Sequence, residues 1–197
     1  MDPRVKDIFD AAGLGDAASI QQFVSEGVDV NLLDGLGFPP LHFASLMGHL
    51  SAMEALIGYG ANVNIAGNHG YTPLMAASGN GIGEAVKILL ESGADIEARD
   101  NSGSTALLYA CGRNPSDEPV KLLLEAGSEV NAQTVIGMTP ILRASIVGSL
   151  GKVQLLLEFG ADPTIADKNG RSPISVASDK GYNEIVAAIK MHLSRGS

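Results

Sequence analysis

The sequence predicts an all-α solenoid, one domain of stacked helix-turn-helix units linked by β-hairpin loops. Three observations predict it: two glycine ladders with a common period, a Thr/Ser-Pro pair recurring with them, and apolar residues spaced for one helix face. The first ladder is Gly37, Gly70, Gly103, Gly137 and Gly170, in steps of 33, 33, 34 and 33. The second, Gly27, Gly60, Gly93, Gly127 and Gly160, takes the same steps with the same one-residue slip. A unit of this length cannot bury its apolar face alone and does so by stacking on its neighbours.

Each unit opens a first helix after the first ladder. Thr72-Pro73, Thr139-Pro140 and Ser172-Pro173 place a hydroxyl where it can accept an orphan backbone N–H, followed by a residue that lacks one. Pro39-Pro40 and Thr105-Ala106 occupy the same columns. Small residues such as Ala76-Ala77-Ser78 continue the helix, and Gly48, Gly81, Gly148 and Gly181 end it. The second helix carries Met53/Leu56/Ile57, Val86/Leu89/Leu90, Val120/Leu123/Leu124 and Val153/Leu156/Leu157. That i, i+3, i+4 spacing forms one apolar stripe. The second ladder of glycines then stops it, where a positive φ is needed.

Composition agrees. Of the 197 residues 45 % are hydrophobic but only 5 % aromatic, with no Trp, so Ala and Leu must fill the interior of closely packed helices. The formal net charge of −9 argues against nucleic acid and would weakly favour a basic partner surface. One cysteine, Cys111, rules out an intramolecular disulfide and fits a reducing compartment. Neither a signal-peptide core nor a membrane-length apolar run is present. The expectation is a soluble monomer in the cytoplasm or nucleus. The terminal Ser194-Arg195-Gly196-Ser197 reads equally as native or as a cloning remnant.

The series G-x-T-P-L-x-x-A, G, x-V-x-L-L-L-x-x-G-A-D/N-x-N/E resembles the ankyrin repeat over essentially the whole chain. Residues 34–66, 67–99, 100–133 and 134–166 form four full repeats. Residues 1–33, the first repeat, and 167–197, the sixth, act as N- and C-terminal caps. Lys190 in the last cap stands in the column of Ile57, Leu90, Leu124 and Leu157. That polar closure is the expected sign of a complete array. The resemblance implies a protein-binding scaffold, an adaptor or stoichiometric regulator. The alternative is the targeting module of a larger multidomain enzyme or signalling protein.

No catalytic set emerges, and no metal site or cofactor is expected. His42 and His49 occupy family positions whose hydrogen bonding accounts for them, and His69 and His192 have no Cys, Asp or Glu at ligand spacing. Cys111 shares a small-residue column with Ser45, Ser78, Ser145 and Ser178, so it reads as packing. Gly79-Asn80-Gly81-Ile82-Gly83 lacks the Lys-Ser/Thr of a phosphate loop and reads as an inter-helix turn. The fourth repeat departs at Gly112-Arg113-Asn114-Pro115-Ser116-Asp117-Glu118-Pro119, one residue longer, with Asn114 expected to visit the left-handed region in place of the turn glycine. Ser116 or Asp117 should cap the following helix. In animal relatives the column of Asn31, Asn64 and Asn131 can be an asparaginyl-hydroxylase target; the simpler reading is that each side chain holds its loop in shape.

The resemblance also implies that a partner binds the concave face of hairpin tips and first helices. Carried over by column, the second repeat offers Leu36, Phe38, Leu46, Met47 and Tyr59. The third offers Asn68, His69, Tyr71 and Asn80, and the fourth Asn101, Ser102, Ser104 and Arg113. The fifth offers Val135, Ile136, Met138, Ile146, Val147 and Phe159, and the last cap Lys168, Arg171 and Lys180. Runs of apolar side chains single out the second and fifth repeats as the binding area, at roughly 1.5–3 kcal/mol for each side chain fully covered; the alternative is that they only pack between neighbouring hairpins and helices.

Overall fold

The computed structural model describes residues 5–195. Six helix pairs follow one another: α1 (Ile8–Leu14) with α2 (Ala17–Ser25), α3 (Pro40–Met47) with α4 (Leu50–Gly58), and α5 (Pro73–Gly79) with α6 (Gly83–Glu91). Then come α7 (Ala106–Ala110) with α8 (Glu118–Glu125), α9 (Pro140–Val147) with α10 (Leu150–Glu158), and α11 (Pro173–Asp179) with α12 (Asn183–Arg195). Odd-numbered helices pack side by side in an inner row and even-numbered helices in an outer row. Ala44, Ala77, Ala110, Ala144 and Ala177, all 0 % exposed, let the inner helices approach closely. The outer stripes complete one continuous core through Met53, Leu56, Val86, Leu89, Val120, Leu123, Val153 and Leu156.

The helix starts follow the caps read from the sequence, with two exceptions. Thr72, Thr139 and Ser172 accept the N–H of Met75, Leu142 and Ser175. Pro39 has no side-chain acceptor, and the Thr105 hydroxyl is buried without a partner. Helix α7 has five residues against seven or eight elsewhere in the inner row, and its contact with α9 is the thinnest in that row. The glycines of both ladders adopt positive φ, between 74° and 91°. At Gly137 this conformation is doubly required, because a Cβ there would stand 3.1 Å from the Asp167 Cα of the next hairpin.

Among the described residues the hairpin loops are too short to form strands. Each is closed by backbone bonds at its base and tip, as from Asp100 N–H to the Ser104 carbonyl (3.1 Å) and from Gly103 N–H to that of Asp100 (2.9 Å). Successive tips are tied together. Asn101 N–H donates to His69 O at 2.8 Å, Val135 to Ser102 at 2.9 Å and Lys168 to Ile136 at 3.0 Å.

The Asn column holds neighbouring repeats together. Asn64 donates its amide to Gly93 O (3.0 Å) and accepts Asp95 N–H (2.7 Å), both in the next repeat. Asn31 bridges to Gly60 and Asn62 in the same way, and Asn131 accepts Asp162 N–H. These side chains are therefore inter-repeat ties, a larger role than shaping their own loops.

The fourth repeat corrects one expectation and adds a feature. Asn114 does not take a positive φ; among the described residues only His69, at 60°, does so without being glycine. Its amide instead donates to the carbonyls of Ser78, Gly79 and Ala110. Ser116 receives the Glu118 N–H at 3.3 Å, whereas Asp117, at the N-cap position of α8, makes no side-chain capping bond. Beneath the long loop lies Lys152, 0 % exposed. Its ammonium donates to the carbonyls of Ala110 (2.9 Å), Gly112 (3.1 Å) and Asn114 (2.7 Å) and to Asn114 Oδ1 (3.1 Å). Lys152 stands in the column of Ala52, Ala85 and Pro119, and supplies donors to carbonyls at the end of the shortened α7.

Candidate functional site

The hairpin tips and inner helices of the fourth and fifth repeats frame a groove of about 320 Å³. Its walls are Ser102 and Ser104 on one tip, Thr134, Val135 and Ile136 on the next, and Leu108, Tyr109, Met138 and Arg143 beneath and beside them. It opens where α7 and α9 pack least closely. Val135 and Ile136 stand 58 % and 49 % exposed. Met138, expected as a contact residue, is buried: it joins Leu108, Leu142 and Val176 in a small second core under the groove, with Ile146 packed against it. It can shape the floor but offers little surface.

Polar groups hold the walls still. The Asp100 carboxylate accepts the N–H groups of Ser102 and Ser104, each at 2.8 Å, and the Tyr109 hydroxyl at 2.7 Å. Burial alone would raise the pKa of Asp100, but these hydrogen bonds outweigh it and leave it below the usual carboxylate value. Burial, then the hydrogen bond to Asp100, push the Tyr109 phenol upward. At the last tip Arg171 meets Asp167 at 2.6 and 2.8 Å, so most of its charge is spent within the chain. Beyond the groove, Arg113, Ile146, Val147 and Lys180 line a second shallow depression at the inter-helix turns.

The other expected contact residues divide. Leu36 and Met47 are exposed at 68 % and 58 %, as read from the sequence. Phe38 is half-buried, stacked on His42 at 4.3 Å between centroids, and Leu46 is half-buried too. His69 and Asn80 are exposed, the latter donating to Leu46 O. Tyr71 is half-buried, edge-on to Tyr109 at 4.9 Å. Tyr59 and Phe159 are misplaced by the column reading: they terminate α4 and α10, in the outer row, and Tyr59 borders a depression with Ala17, Ala18, Gln21 and Ala55. The sequence reading omitted Arg143 and Leu108. Both lie in inner-helix columns that otherwise read as core.

His42 and His49 take packing roles. His49 Nε2 meets Gly13 O at 3.0 Å. His42 departs from the expected hydrogen-bonding scheme: its Nδ1 is buried without a partner, and the ring lies among Phe38, Phe43 and Tyr71. Cys111 is buried, and desolvation pushes its thiol up to about 12. Among the described residues no group of three His, Cys, Asp or Glu side chains is placed to hold a metal, and no helix is long and apolar enough to cross a membrane.

Comparison with known proteins supports the same architecture. The family model for ankyrin repeats matches residues 8–100, 80–167 and 107–194. A crystal structure of an ankyrin repeat domain from Acinetobacter baumannii AYE superposes with a TM-score of 0.83 at 32 % identity, covering 94 % of this chain and 96 % of that one. An Arabidopsis thaliana protein named as an E3 ubiquitin-protein ligase, XBAT34, is 38 % identical over 54 residues, 27 % of this chain and 14 % of its own length. YahD of Escherichia coli K12, named as an ankyrin repeat protein, is 41 % identical over 51 residues, 23 % of this chain and 25 % of its own. The chain thus matches only a quarter or less of the length of these two relatives.

Proposed function

We propose that this chain, which belongs to the ankyrin-repeat family, is an adaptor or stoichiometric regulator that holds a protein partner against its inner face. Ankyrin repeats are protein-interaction modules, and their fold is in general a non-catalytic scaffold. The carrying observation is the groove between the fourth and fifth repeats. Exposed Val135 and Ile136 there project from tips fixed by backbone bonds, over a buried apolar floor. Such a preordered apolar surface loses little conformational entropy when covered. Leu36 and Met47 of the second repeat form a further apolar contact area on the same face. The cytoplasm is the compartment that a buried free Cys111 favours.

The test is affinity capture from native cells with the wild-type chain and with the Val135→Ser/Ile136→Ser variant, both first shown to melt alike. The expected result is one or more proteins held by the wild type and lost from the variant. Equal retention by a folded variant would overturn this placement. A second reading, the targeting module of a larger enzyme, draws on the partial match to the Arabidopsis protein named as a ubiquitin ligase. It predicts a catalytic domain in the same open reading frame, which the gene sequence decides.

A further inference from the structure

The inner face is electrically divided in a way the net charge conceals. At the first two repeats it carries carboxylates: Asp7, Asp10 and Asp34 line one depression with Phe9 and Phe43. At the last three repeats most of the exposed charged groups are cations. Arg143 stands on the wall of the groove, Lys168 on the adjoining tip, and Arg113 and Lys180 at the far end of the same inner helices. Among the described residues none of these four forms a carboxylate ion pair, and Lys180 gives its only hydrogen bond to a carbonyl, Ile146 O at 2.9 Å. Against them stand Asp100 and Asp167, both already engaged, Asp179, and Asp117 in the loop that carries Arg113. Most acidic groups of the chain lie on the outer helices and their turns, among them Glu54, Glu84, Glu91, Glu125 and Glu158.

We infer that the groove between the fourth and fifth repeats receives an acidic peptide segment of the partner, one apolar side chain seated over Met138 between carboxylates that meet Arg143 and Lys168. The inference rests on the proposed protein-binding function and names the chemistry of the ligand. It also reverses the expectation, drawn from the net charge, of a basic partner. Arg143 is the key cation: a guanidinium carried on an inner helix offers a carboxylate two parallel donors, and the apolar rim of Val135 and Ile136 reduces screening there. A nucleic acid fits less well, because the cavity is walled by aliphatic groups and the aromatic ring beside it, Tyr109, is tied to Asp100.

The test uses fluorescence anisotropy with the full chain and three labelled ten-residue probes: glutamate-rich with a central Leu-Phe, the same peptide with Ser-Ser at the centre, and the first with every Glu replaced by Lys. A fourth probe is a ten-nucleotide single-stranded DNA. Expected is binding of the first probe at least tenfold tighter than of the other three, weakening as salt rises from 50 to 300 mM. Arg143→Glu and Lys168→Glu should each weaken it about tenfold or more. Lys121→Glu, the same charge change on the outer helix α8, should leave affinity within twofold at high salt. Equal binding of the lysine probe or of DNA, failure of the first probe to bind, or indifference to Arg143→Glu in a variant that melts normally would each overturn the inference. If the acidic probe fails while Val135→Ser/Ile136→Ser still releases the native partner, the ligand chemistry is wrong and the binding face stands. If that release also fails, both fall.

Discussion

Replacing Lys152 by Met probes what closes the array at its irregular repeat. The lysine has no exposed surface, and its ammonium meets four oxygens between 2.7 and 3.1 Å. Methionine fills a similar volume without a donor. The loss has two opposing parts. Three directed hydrogen bonds from a charged donor would each be worth about 1.5–3 kcal/mol, but the methionine also avoids the several kcal/mol needed to bury an ammonium. What remains is chiefly the cost of leaving neutral carbonyls without donors, about 1–3 kcal/mol for each buried group left unsatisfied, and a net destabilisation of about 3 kcal/mol follows. For a chain of this size each kcal/mol lowers Tm by about 2–4 °C, so the expected shift is about 6–12 °C. Thermal and urea denaturation followed by circular dichroism measure it. Hydrogen exchange should place the early opening around α7, the loop at residues 112–117 and α10. Lys152→Arg should not rescue, because a planar guanidinium does not match oxygens gathered around one nitrogen. A Met variant within about 1 kcal/mol of wild type would show that the carbonyls have other donors and that Lys152 is not what satisfies them.

His42 should make stability depend on pH. Burial holds its pKa at about 4 against 6.5 for the free side chain, so its contribution is present above pH 6.5 and fades as pH falls toward 4. Between pH 7.5 and 5 the wild type should lose about 2 kcal/mol more than His42→Leu, measured by urea unfolding. Equal pH slopes would contradict this. Asn64→Ala removes bonds to Gly93 and Asp95 and should cost about 1–2 kcal/mol, with a broadened transition as the coupling between repeats weakens. A variant that melts like wild type and as sharply would show the tie to be dispensable. Cys111, buried with its thiol held at about 12, should resist iodoacetamide at pH 8 until the chain is unfolded in urea. Labelling of the native protein at the rate of a free thiol would overturn that burial.

Much of this architecture was legible in the sequence because the repeat concentrates information at positions where the backbone is demanding. A residue such as Gly137, with positive φ and a neighbouring Cα at close range, admits little else, so it recurs and can be counted. The site was less legible because its columns tolerate variety. Met138 and Ile136 are two positions apart and both aliphatic, yet one is floor and the other rim. Only the second core formed with Leu108, Leu142 and Val176 separates them. Tyr59 and Phe159 lie one residue from the second glycine ladder, and column counting alone does not say on which row a helix end emerges. Lys152 did leave a signal, a lysine in a column of Ala52, Ala85 and Pro119, opposite the one loop that lost its turn glycine. Reading it required taking the two departures as a pair. The carboxyamide ties of Asn31, Asn64 and Asn131 were legible as positions but not as partners, since the atoms they join lie about one repeat away.

The thin contact between α7 and α9 also has a mechanical meaning. In a rod built of nearly identical segments, bending strain collects at the most compliant junction, here the one clasped beneath by Lys152 and tied above by the Val135–Ser102 bond. The groove lies across that junction, so an occupant touching both repeats acts as a splint. Its seating would stiffen that junction against flexure and brace the two repeats it joins.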